Sequence, residues 1–176
     1  MINPRLVISL LIILASIEPA NGQFINLQIK VESELSATVE QDLDFGELII
    51  NSGASFINLG DVNMGIFNIR AYYTQNVFVQ LDYPRALTHT NPSVIDEIPI
   101  NLEIAYNNSG TRNINDSEIL ENNLGYLPVF SATNDELNNT TEVWKELFLY
   151  VYGSIIVGNI NEGEYSGEIL LLIEYD

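Results

Sequence analysis

The chain has 176 residues and no cysteine, and its 24 Asp+Glu against 6 Lys+Arg give a formal net charge of −18. Disulfides, Cys-ligated zinc and thiol catalysis are therefore excluded, and there is no basic surplus to bind nucleic acid or an anionic membrane. The supply of Ile, Leu, Val, Phe and Tyr still predicts a folded domain, not a disordered acidic chain.

The N-terminus reads as a secretion signal. Arg5 is a short basic region, residues 6–17 (LVISLLIILASI) are a twelve-residue apolar run, and Ala20-Asn21-Gly22 precede the predicted cut after Gly22. The run is shorter than the ~20 residues a membrane span needs. Residues 1–22 are thus assigned to a cleaved signal and 23–176 to a single domain with no membrane span, large enough for a substantial core.

Strands follow in order. Ile25, Leu27, Ile29 and Val31 alternate with Asn26, Gln28, Lys30 and Glu32, the period of a half-buried strand. Leu35, Ala37 and Val39 continue the alternation, and Leu43 and Phe45 lead into Gly46. Leu48, Ile49 and Ile50 precede an Asn51-Ser52-Gly53 turn. Further strands are predicted around Ile66, Phe67 and Ile69, then around Val77, Val79 and Leu81 up to Pro84. Residues 84–98 read as a long loop, Ile98 to Ile104 as a strand, 107–123 as a surface excursion and 127–130 as a short strand. A helical turn is predicted at residues 135–137. Leu147 to Val157 and Ile169 to Tyr175 read as two final strands joined by a Gly-rich turn, with a bulge or kink at Gly153. In the last strand Ile169, Leu171, Ile173 and Tyr175 alternate with Glu168, Leu170, Leu172 and Glu174. About eight short strands without a convincing helical period predict an all-β antiparallel sandwich with Greek-key connections.

Catalytic chemistry is hard to find. His89 is the sole histidine and reads as a solvated loop residue, not a triad base. The pairs Asp42/Asp44, Asp96/Glu97 and Glu162/Glu164 fall at strand ends and turns, where an acidic chain places carboxylates on the surface. Asn113, Asn115, Asp116 and Glu118 lack the order and central Gly of a calcium loop. Sequons at Asn107, Asn115, Asn138 and Asn139 mark expected exposed loops. Trp144, Tyr150 and Tyr152 could form a sugar platform, but packing is the commoner role. No enzyme activity, metal or cofactor is predicted.

Two motifs carry a resemblance. Asp42-Leu43-Asp44-Phe45-Gly46 early, and Gly163-Glu164-Tyr165-Ser166-Gly167 before ILLLIEY late, together with the strand around Gly153, are similar to the domain of unknown function 4402 family. That family resembles the spore coat protein U and archaic chaperone–usher pilin domains. Residues 84–145 match by strand spacing alone. The resemblance implies a pilin-like, immunoglobulin-like sandwich lacking a strand, exported to the periplasm, surface or exterior of a bacterium. Its partners would be other copies of itself or a periplasmic chaperone, joined by strand addition. The family-motif residues are then Asp42, Leu43, Phe45, Gly46, Gly153, Gly163, Tyr165 and Gly167. Ile25, Leu27, Ile29 and Val31 have the chemistry of a donor strand, though the short interval between Gln23 and the motif at 42–46 favours their being the domain's own first strand. The disulfide of archaic pilins is missing. A second reading is a self-contained secreted binding module, with carbohydrate as a candidate ligand and residues 84–98 and 107–123 as its contact surface.

Overall fold

A computed structural model describes residues 35–72, 75–128 and 144–176. Ile25, Leu27, Ile29, Val31, the signal segment and the turn predicted at 135–137 lie outside the described residues. In chain order the strands are β1 (Ser36–Gln41), β2 (Gly53–Ile57), β3 (Gly65–Tyr72), β4 (Asn76–Asp82), β5 (Ala86–His89) and β6 (Glu97–Asn107). They continue with β7 (Glu118–Leu120), β8 (Leu124–Pro128), β9 (Trp144–Val157), β10 (Tyr165–Ser166) and β11 (Leu170–Tyr175). Short 3-10 turns stand at Ile114–Asp116 and Glu121–Asn123.

The strands form two antiparallel sheets. The larger runs β1-β3-β9-β6-β5-β10, and the smaller runs β11-β4-β8. Taking the Val157 end of β9 as the lower end, β3 pairs its upper part and β2 its lower part, while β6 lies along its other side. β7 extends the sheet beside the upper end of β6.

β9 is the spine. Its sequence WKELFLYVYGSIIV is apolar nearly throughout, as in a strand covered on both faces. Leu147, Leu149 and Val151 point to one face, where they meet Ile69, Leu102 and Ile104 and, from the smaller sheet, Val77, Val79, Leu81 and Leu127. This is the core between the sheets, and each such side chain buried from water contributes roughly 1.5–3 kcal/mol. Phe148, Tyr150 and Tyr152 point to the other face, where Ile57 and Met64 cover them, with Leu59 and Ile114 alongside.

The all-β sandwich expected from the alternation is present, with more strands than the alternation suggested. Residues 84–98 are not simply a loop, because Ala86–His89 pair with both β6 and β10. β2 escaped notice because its five residues GASFI carry a single outward aromatic, Phe56, and no long alternation. The two final strands are not partners, since β9 belongs to the larger sheet and β11 pairs β4 in the smaller. There is also no bulge at Gly153. β9 passes through it with unbroken register on both sides. The glycine is needed because φ is +151° and an added Cβ would strike the Asn101 carbonyl oxygen and lie 2.9 Å from Leu102 Cα.

Candidate functional site: an apolar groove between two free strand edges

β1 pairs only β3, and β11 pairs only β4, so among the described residues each ends its sheet. Between these edges, toward the lower end, lies an open groove of about 1380 Å³. Its floor is the inner face of the larger sheet, with Phe67, Val151, Ile155, Ile98, Ile100 and Leu102. Val39 and Gln41 flank one side, and Ile169 and Leu170 the other. The floor spans Val151 to Val157, about 20 Å at strand rise. A slot of that length and volume is larger than most small-ligand pockets.

The connection after β1 forms one wall. A register shift falls between Val39 and Gln41, after which the β1–β3 ladder closes with the Gln41–Ile66 pair. The Gln41 side-chain amide donates to the carbonyls of Val62 (2.7 Å) and Met64 (2.6 Å). Leu43 and Phe45 turn inward and are half-buried, and Asp44 accepts from the Gly46 amide at 2.8 Å. That small carboxylate turn lets Gly46 adopt φ +69°, and the wall continues through Glu47, Leu48 and Ile50.

The β10 turn forms the opposite wall. Tyr165 is half-buried and donates its hydroxyl to the Asn161 carbonyl at 2.9 Å. Its ring meets His89 edge-on, 4.9 Å between centroids. Gly167 lets the chain pass within 2.9 Å, measured to a notional Cβ, of Pro84. Ile169, Leu171, Ile173 and Tyr175 face inward onto the core between the sheets.

Asp42, Leu43, Phe45, Gly46, Gly163, Tyr165 and Gly167, far apart in sequence, thus line a single cavity. Gly153 is not among the lining residues, although it sits in β9 between Val151 and Ile155 of the floor, paired with Leu102 of β6 and Ile57 of β2. The residues that the alternation could not flag are Pro84, Leu87 and Ile160, which also line the groove. Their common signal was an apolar residue inside a segment read as loop or turn.

Other candidates take structural roles. His89 is not a solvated loop residue: it sits half-buried in β5, accepts from the Asn91 amide at Nδ1 (2.8 Å) and places Nε2 3.2 Å from the Glu162 carbonyl. Asp96 accepts from both the backbone and the side chain of Asn161, at 2.7 Å each. Asn113 caps the 3-10 turn and bonds Asp116, while Glu118 accepts from Tyr106 at 2.6 Å. The polar atoms of that run thus serve local bonds. Burial and Glu118 push the Tyr106 phenol up to about 12. Tyr150 and Tyr152 are buried in the outer cluster, and Trp144 packs edge-on to Tyr72 with Arg70 over its ring, so the three form no platform. Of the sequons, Asn115 is exposed, but Asn107 is 1% exposed and donates to the Asn113 carbonyl. Asn138 and Asn139 lie outside the described residues. Residues 90–96 and 108–117 stand at opposite ends of β6, about 33 Å apart at strand rise, so they do not share one contact surface.

No family model matches the chain, and no curated protein matches it.

Proposed function

We propose that this is an exported, non-enzymatic structural subunit of the pilin-like, immunoglobulin-like kind, whose groove accepts an extended segment by strand addition. One observation carries the reading: a groove with an apolar floor about 20 Å long lies between two strand edges that are unpaired among the described residues, and it is walled by both halves of the family-like motif. An incoming strand would bond its backbone to the β11 or β1 edge. Its alternate side chains would enter the groove, with main-chain bonds giving affinity and the side chains giving register. The segment with Ile25, Leu27, Ile29 and Val31, supplied by a neighbouring copy, has the required alternation. A periplasmic chaperone strand is the other partner of the same chemistry.

Light scattering of the full protein tests this. Assemblies are expected that dissolve when Leu27→Asp or Ile29→Asp places a charge in the donor face. A labelled peptide of residues 23–33 should bind the groove, while one with its apolar residues moved by a single position should not. A protein that stays monomeric, and ignores both the peptide and these substitutions, sinks the reading.

A further inference from the structure

The outer face of the smaller sheet is a second surface, remote in chemistry from the groove. Along β4 the outward residues are Asn76, Phe78, Gln80 and Asp82, opposite the buried Val77, Val79 and Leu81. The register sets Leu172, Gln80 and Leu124 in one row and Glu174, Phe78 and Tyr126 in the next. Phe78 and Tyr126 touch with centroids 5.0 Å apart. Leu172 is 44%, Leu124 47% and Tyr126 61% exposed. An exposed apolar patch on a sheet face marks a docking surface, and the described residues put no layer over this one.

We propose that this face docks an amphipathic helix of another protein whose apolar stripe is bordered by Lys or Arg. Charge complementarity comes first. No residue of β4, β8 or β11 is basic, while Asp82 and Glu174 stand at the margins of the apolar rows. Size comes second. Three strands are about 14 Å wide, which a helix of about 10–12 Å diameter covers. The carboxylates are separated by about 13 Å along the strands, close to two helical turns. The partner therefore presents basic residues seven or eight positions apart. A second copy of this chain fits less well. It carries the same carboxylates and a net charge of −18, so two such faces would repel each other.

The experiment uses the full protein and a labelled synthetic helix with a Leu stripe and two Lys seven positions apart. The control is the same helix with Glu for Lys. Fluorescence anisotropy is expected to show about tenfold tighter binding of the Lys helix. Asp82→Asn with Glu174→Gln should abolish that preference. Tyr126→Ser or Leu172→Thr should weaken the Lys helix at least about fivefold. All four positions are exposed, so unchanged thermal midpoints establish that the fold is intact, and unchanged binding of the 23–33 peptide separates this face from the groove. Equal binding of both helices, or variants that bind like the parent, overturns the proposal. So does retention on a neutral oligosaccharide column that Tyr126→Ser abolishes without any helix binding, or self-association that Leu172→Thr removes.

Discussion

In the upper half of the sandwich Ile69, Val77, Val79, Leu147 and Leu149 have no exposed surface, whereas in the lower half Leu43, Phe45, Leu87 and Ile100 stand half-buried around an open groove. The strands are largely shared. β6 and β9 run through both halves with one unbroken alternation. What differs is the cover: β4, β8 and the upper part of β11 seal the upper half, while among the described residues the segment after β1 and the β10 turn wall the lower half, over a floor that is itself buried at Val151 and Ile155. An apolar period therefore specifies which face wants to be covered, while the length of the opposing strand decides whether it is.

The largest effect should separate a glycine locked under β6 from one on the groove wall. Gly153→Ala is expected to cost about 3 kcal/mol or more in a denaturant titration, because backbone of β6 would have to move. Gly167→Ala meets only the side chains of Pro84 and Leu87, at 2.9 and 3.0 Å, and should cost about 1–2 kcal/mol. Core truncations sharpen the contrast. Leu149→Ala should lose about 2–5 kcal/mol, and Ile100→Ala on the groove floor roughly 1 kcal/mol. Equal losses would mean the lower half is as closed as the upper. Next come two hydroxyls. Tyr83 donates to the Leu102 carbonyl and accepts from the Leu102 amide and Asn123, so Tyr83→Phe should cost about 1–2 kcal/mol. The Tyr150 hydroxyl is buried with no hydrogen-bond partner among the described residues, so Tyr150→Phe should be neutral or stabilising by up to about 1 kcal/mol.

The smallest effect appears only in alkali. Tyr106 is held neutral by burial and by Glu118, with its titration raised to about 12 from an ordinary value near 10. A raised folded value means that the stability it contributes is complete below about pH 10 and is lost as pH climbs toward about 12. Burial also raises Tyr150, Tyr152 and Tyr165, so phenolate absorbance should show a late-titrating group of tyrosines that Tyr106→Phe reduces by one. A Tyr106 that ionises with the exposed tyrosines would show that β7 does not hold it.

Much of this was legible from residues alone. The alternation at Ile98–Ile104, Val77–Leu81 and Leu171–Tyr175 named both strand and inward face, because period 2 follows from strand geometry itself. Gly46 and Gly163–Gly167 marked the walls of the groove before their convergence was visible. Pairing was not legible. β5 is four residues long and β10 two, and they exist because β6 offers an edge, not because ALTH or YS prefers extension. The sheet change between β9 and β11 was hidden for a related reason: a Gly-rich turn signals reversal, but not which sheet receives the chain.

Asn107 has a practical consequence for producing the protein. Its side-chain nitrogen, the atom an oligosaccharyltransferase would modify, is buried and committed to the Asn113 carbonyl. In a eukaryotic expression host, a glycan attached there during translocation would have no room once β6 pairs, and such molecules would stall before maturation. The folded secreted pool would then be enriched in chains that escaped modification at Asn107, although glycosylated at the exposed Asn115. Yield in such hosts would depend on the race between glycosylation and strand pairing, and Asn107→Gln would not simply cure it, because the longer amide must still reach Asn113.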